Sequence, residues 1–189
     1  MNQNRRAFVE QLLRGSVLTL SFELAGAKLL LQPAEARARS VPLQKLTREQ
    51  ADVLEALAET IVPGAADAGV IHFIDYQLNA DPNEALLIAK YFQVPPPYLD
   101  FYLGGIEAAR ASSRRLHRKE LTQLSSAQRH ELVSGMALPG TTAGAFPLFV
   151  FYMCLRSDAV DVVYGTPGGF EKLGIPYMQH ILPPENWDA

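Results

Sequence analysis

Residues 47–64 run Thr47-Arg48-Glu49-Gln50-Ala51-Asp52-Val53-Leu54-Glu55-Ala56-Leu57-Ala58-Glu59-Thr60-Ile61-Val62-Pro63-Gly64 and carry a full set of helix signals. Thr47 followed three residues later by Gln50 has the form of a capping box, in which each side chain satisfies a free backbone amide. Val53, Leu54, Leu57 and Ile61 recur at spacings of three and four, one apolar face of a helix. Pro63-Gly64 stops it.

The same grammar continues outward. A second helix is expected after Asp67, with Val70, Phe73, Ile74 and Leu78 on one side and Asp81-Pro82-Asn83 as its end. A short helix from Glu84 to Phe92 is expected next. Pro95-Pro96-Pro97 suits an extended connector with Pro97 at a helix's first turn. From Tyr98 a longer helix is expected to about Lys119, although Gly104-Gly105 weakens it by roughly 1 kcal/mol per glycine relative to alanine. Ser125-Ser126-Ala127-Gln128 repeats the capping box and opens a helix through about Ala137, closed by Pro139-Gly140. Phe146 to Val163 is the most apolar stretch after residue 38 and reads as the central helix of the core. From Tyr164 to Ala189 the chain is rich in Gly, Pro and aromatic residues, with little regular pattern. No apolar–polar alternation long enough to build a sheet stands out, and no internal repeat is present. The expected fold class is all-α: a small irregular helical bundle with a loop-rich C-terminal tail.

Composition bounds the function. The 189 residues are 48% hydrophobic, enough for one domain with a core. A net charge of −3 argues against a general nucleic-acid binder. Cys154 is the single cysteine, so an internal disulfide, a Cys-x-x-Cys-His haem attachment and a multi-cysteine metal site are all excluded.

The chain opens Met1-Asn2-Gln3-Asn4-Arg5-Arg6-Ala7-Phe8-Val9. Paired Arg5-Arg6, a small residue and then Phe8 resemble a twin-arginine export signal. A moderately apolar stretch follows from Gly15 to Leu31, broken by Pro33. Ala34-Glu35-Ala36 and Ala36-Arg37-Ala38 each have the A-x-A form of a cleavage site. Glu23 and Lys28 interrupt the apolar stretch, and the alternative is an amphipathic first helix of the domain. Its longest uncharged run, Gly15 to Phe22, is far short of the roughly 18 residues a membrane span needs. Residues 1–38 are taken as the signal segment, with removal left open, and 39–189 as the helical domain.

Leu54, Leu57-Ala58-Glu59-Thr60-Ile61-Val62-Pro63-Gly64, Ala65-Ala66-Asp67-Ala68-Gly69-Val70 and Phe73-Ile74-Asp75 together resemble the gluconate 2-dehydrogenase subunit 3 family. Leu124-Ser125 with Gln128-Arg129 is similar to a helix opening in the middle of those proteins. Phe149, Ala159, Asp161, Val163-Tyr164-Gly165-Thr166-Pro167-Gly168-Gly169-Phe170 and Lys172-Leu173-Gly174-Ile175-Pro176 are similar to its closing segment. The resemblance spans roughly Leu46 to Pro176. It implies a small subunit accompanying a large FAD-dependent flavoprotein of the glucose–methanol–choline type, which oxidises a sugar, glycoside or sugar acid. It further implies a cytochrome c subunit with haem c as onward electron carrier. The large subunit would travel folded on the small subunit's twin-arginine signal, through the Tat translocase, to the periplasm. Membrane association would then come through partners.

The residues give this chain little chemistry of its own. The Gly-x-Gly-x-x-Gly dinucleotide pattern and a phosphate-binding loop are both missing, and Gly165-Thr166-Pro167-Gly168-Gly169 reads as a loop that folds tightly or packs on a partner. No catalytic, cofactor or metal residue is assigned. None of His72, His117, His130 and His180 has metal-ligand spacing. His72 and Asp75 lie three apart on one helical face and could pair, which is the basis of an alternative reading as an independent periplasmic enzyme. Arg110, Arg114, Arg115, His117, Arg118 and Lys119 form the strongest charge cluster, either a solvated helix end or a docking site for an acidic partner or anionic lipid. Tyr164, Phe170, Tyr177 and Trp187 are the candidate partner interface, since interfaces are enriched in aromatics. A membrane-surface helical protein without a redox partner is the third reading.

Overall fold

The computed structural model describes residues 18–24 and 26–175. Its elements are strands β1 (Leu20–Leu24) and β2 (Ala27–Leu31), then helices α1 (Pro33–Ala38), α2 (Arg48–Ile61), α3 (Val70–Asn79), α4 (Tyr98–His117), α5 (Ser126–Met136), α6 (Leu148–Tyr164) and α7 (Pro167–Lys172).

Both capping boxes form. Thr47 Oγ1 accepts from the Gln50 amide at 3.3 Å while Gln50 Oε1 accepts from the Thr47 amide at 2.8 Å. Ser125 and Gln128 repeat the exchange at 3.3 and 3.1 Å. Helix α2 then buries Val53, Leu54, Leu57 and Ala58, as its periodicity requires. Helix α6 buries Phe151, Cys154, Leu155, Ala159, Val162 and Val163. Helices α3, α4 and α5 close around these two, placing Ile74, Tyr102, Ile106, Leu132 and Met136 in one continuous core.

Three expectations need correction. The fold is mostly helical but not purely all-α: β1 and β2 pair antiparallel, Leu20 opposite Leu31 and Leu24 opposite Ala27. The hairpin falls inside the stretch read as a signal's apolar region. There Leu20 and Phe22 are buried while Ser21 and Glu23 are exposed, a period-two pattern too short to stand out from a generally apolar run. Gly26 turns the hairpin with φ of 78°.

Residues 84–92 form no α-helix, only a 3₁₀ turn at Ile88–Lys90. Ala85, Leu87 and Ala89 are buried while Leu86 and Lys90 are exposed. Alternate residues must face the core here, and a helix cannot meet that requirement.

Finally, α7 occupies part of the tail expected to be irregular. Thr166 Oγ1 accepts from the Gly169 amide at 3.1 Å, and Pro167 fills the first turn. Two glycines hid the helix, but one of them is needed for packing. A Cβ on Gly169 would lie 2.4 Å from the Val163 carbonyl oxygen.

Residues 18–24 and 26–38 pack on the rest. Leu18, Leu20, Phe22, Leu31 and Ala36 belong to the common core. Gly69, which starts α3 with φ of 78°, lies so close to α1 that a Cβ would sit 2.2 Å from the Pro33 carbonyl oxygen.

Candidate functional site and family

The His72–Asp75 pair offered by the sequence is not a pair. Asp75 is buried, and its carboxylate accepts from three consecutive backbone amides: Gln44 at 2.7 Å, Lys45 at 2.9 Å and Leu46 at 2.8 Å. Three amide donors take three of a carboxylate's roughly four lone-pair sites. His72 donates from Nε2 to the Val41 carbonyl at 3.1 Å, and its buried Nδ1 has no partner. Burial lowers its pKa, the Val41 hydrogen bond opposing that shift only in part. Both side chains therefore fasten residues 41–46 to α3.

Other polar side chains of the interior do the same work. Glu59 accepts from the amides of Gly64 and Ala66 at 3.0 and 2.9 Å, holding the turn after α2. Gln77, buried on α3, accepts from the Leu86 amide at 2.9 Å. Asp158 lies on the apolar face of α6 between Leu155 and Ala159. It accepts from the Ile88 amide at 2.9 Å on one oxygen and from the Tyr102 hydroxyl on the other. Burial dominates its titration and pushes the carboxyl up to about 7, despite those two bonds. The same burial, with Asp158 beside it, drives the Tyr102 hydroxyl well above its usual range. Sequence reading missed Asp158. The available signal was one carboxylate in an otherwise apolar helical stripe, which demands buried partners.

The basic cluster divides in two. Arg110 pairs with Glu107 at 3.1 Å and Glu49 at 3.5 Å, and Arg114 with Glu120 at 3.1 Å. His117 lies 3.8 Å from Glu131, beyond hydrogen-bond reach. Arg115, Arg118 and Lys119 are exposed and unpaired among the described residues.

Of the candidate interface, Tyr164 and Phe170 are half-buried, at the end of α6 and on α7. Tyr177 and Trp187 lie outside the described residues, as do Arg5, Arg6 and Phe8 of the export motif. The structure adds exposed apolar side chains that the sequence reading did not single out. Leu86, Tyr91 and Phe92 project from the strap between α3 and α4, and Leu173 and Ile175 follow α7.

Among the described residues no group of three or more His, Cys, Asp or Glu side chains could hold a metal ion. No helix there is long and apolar enough to cross a membrane. The sequence model of the gluconate 2-dehydrogenase subunit 3 family matches residues 48–181, from the start of α2 to beyond α7. The chain belongs to that family. As a gluconate 2-dehydrogenase subunit 3 protein it is a small subunit of a dehydrogenase complex, with a larger dehydrogenase subunit as its partner. Glu59 and Asp75, both within the matched span, are structural clamps. Comparison with curated proteins and with solved structures finds no match.

Proposed function

We propose that this chain is the non-catalytic small subunit of a periplasmic or membrane-associated FAD-dependent dehydrogenase acting on a sugar, sugar acid or glycoside. It escorts, matures and stabilises the large flavoprotein subunit, and a cytochrome c subunit carries electrons onward. The observation that carries this reading is the family match across residues 48–181. The interior supports it, because Glu59, Asp75, Gln77 and Asp158 are spent on holding loops. Exposed Leu86, Tyr91, Phe92, Leu173 and Ile175 supply apolar surface of the kind subunit interfaces cover.

Export through the Tat translocase on Arg5 and Arg6 belongs to the same proposal. The packing of Phe22, Leu31 and Ala36 into the core supports a signal whose C-terminal part, from about residue 18, stays with the folded subunit.

Co-expression with a large flavoprotein encoded beside it tests the reading. A tagged chain should retain a yellow, flavin-containing partner that reduces a dye with a sugar. Arg5→Lys with Arg6→Lys should leave that complex in the cytoplasm, intact. A chain recovered alone and colourless would overturn the subunit role, and export unaffected by the double substitution would overturn the escort role.

A further inference from the structure

The C-terminal tip of α4 concentrates positive charge. Arg114, Arg115, Arg118 and Lys119 place four cations within six residues of a chain whose net charge is −3, so the surface elsewhere is more acidic than the whole. Arg114 is committed to Glu120. Arg115, Arg118 and Lys119 have no ion pair among the described residues, and Leu116 stands between them half exposed, at 50%.

Helix-dipole stabilisation accounts for cations within the last turn. It gives no reason for Arg118 and Lys119, which lie beyond the helix, or for an outward leucine. Arg118 also adopts the left-handed conformation, φ of 55° and ψ of 33°, where glycine or asparagine is the ordinary choice. The turn it makes is held: the buried Ser113 hydroxyl donates to the Lys119 carbonyl at 2.8 Å, and the Arg118 amide donates to the Arg114 carbonyl at 3.0 Å. The turn thus holds Arg118 and Lys119, both exposed, at the end of α4.

We propose that this tip, Arg115, Leu116, Arg118 and Lys119, is a peripheral contact for an anionic lipid bilayer, with the three cations at the headgroups and Leu116 at the acyl boundary. An acidic protein surface is the weaker alternative. A standard protein interface covers about 800 Å² on each partner around an apolar centre, and a helix end with one leucine offers neither. A lipid surface needs no complementary shape and responds to clustered cations and a small apolar anchor.

Vesicle flotation of the purified full-length chain tests this, using phosphatidylcholine alone and phosphatidylcholine mixed with phosphatidylglycerol. Binding is expected to the mixed vesicles only, and to be lost in roughly 1 M salt, where the screening length is about 3 Å. Replacing Arg115, Arg118 and Lys119 together with Gln should weaken it on the order of a hundredfold, at about fivefold per cation. Leu116→Gln should weaken it severalfold. Arg118→Gly separates binding from folding: it removes the left-handed strain and should raise the melting temperature while lowering vesicle affinity. No binding to the mixed vesicles overturns the proposal. So does binding that the triple substitution leaves unchanged, which would assign it to another segment such as the Arg5–Arg6 region.

Discussion

The Tyr102 hydroxyl donates a hydrogen bond to the Asp158 carboxylate across the core, joining α4 to α6 between residues 56 apart in sequence. Tyr102 is 0% and Asp158 1% exposed, and the second Asp158 oxygen holds the Ile88 amide. The bond therefore links both helices to the strap that carries Leu86, Tyr91 and Phe92.

This arrangement makes stability pH-dependent. The Asp158 carboxyl rises from 3.8 to about 7 on folding, chiefly by burial. Below the lower value both folded and unfolded chains hold the proton. Between the two values only the folded chain does, so this group's contribution to stability falls as pH rises through that window and is level above it. Asp158→Asn keeps an acceptor for Ile88 and removes the titration. Denaturation measured from pH 4 to 8 should show a less negative dependence of stability on pH in the variant than in wild type; identical slopes would refute a shifted Asp158.

Asp75→Ala should destabilise the chain by about 3 kcal/mol or more, because three amides lose their acceptor at once. Asp75→Asn, with one acceptor oxygen, should recover only part of the loss. Urea unfolding of both variants measures this. If Asp75 were a catalytic base rather than a clamp, stability would change little in either.

Gly105→Ala is a test in which two effects oppose. Helix propensity alone predicts stabilisation by roughly 1 kcal/mol. A Cβ at Gly105, however, would meet the Phe151 ring at 2.2 Å, and that ring is fully buried. Overpacking costs about 1–3 kcal/mol, so a net loss is expected in thermal unfolding. A gain would show that α4 and α6 can separate freely.

A chain beginning at residue 18 should unfold at a markedly higher midpoint than one beginning at residue 39. The second loses Phe22, Leu31 and Ala36 from the core and uncovers the face of α3 near Gly69. Equal midpoints for the two would mean that the hairpin and α1 contribute nothing to the domain.

Cys154 should be inert toward thiol reagents in the native protein. It is fully buried, and burial with Asp158 nearby pushes its thiol up to about 12. Since the thiolate is the reactive form, labelling should become fast only in denaturant. Rapid native labelling would mean that α6 is open to solvent.

Local order was legible because its causes are local. Thr47 with Gln50, and Ser125 with Gln128, announce their helices within four residues, and the 3–4 spacing in α2 names the buried face. Pro63-Gly64 marks the break. The absence of a nucleotide-binding glycine pattern and the family resemblance were equally available from the chain alone. Where a residue's state depends on what lies opposite, the chain was silent or misleading. Residues 84–92 look helical by composition, yet Leu87 and Ala89 must both reach the core beside Asp158, which imposes alternation instead. Gly105 and Gly169 look like weak points and prove to be places where another element passes within van der Waals contact. His72 and Asp75 have the spacing of a pair, but three amides from residues 44–46 claim the carboxylate. The sequence by itself determined where helices begin and which faces are apolar, because capping and periodicity act between neighbours. Only the tertiary structure decided which buried polar group meets which, because a desolvated carboxylate takes whatever donors the fold brings to it.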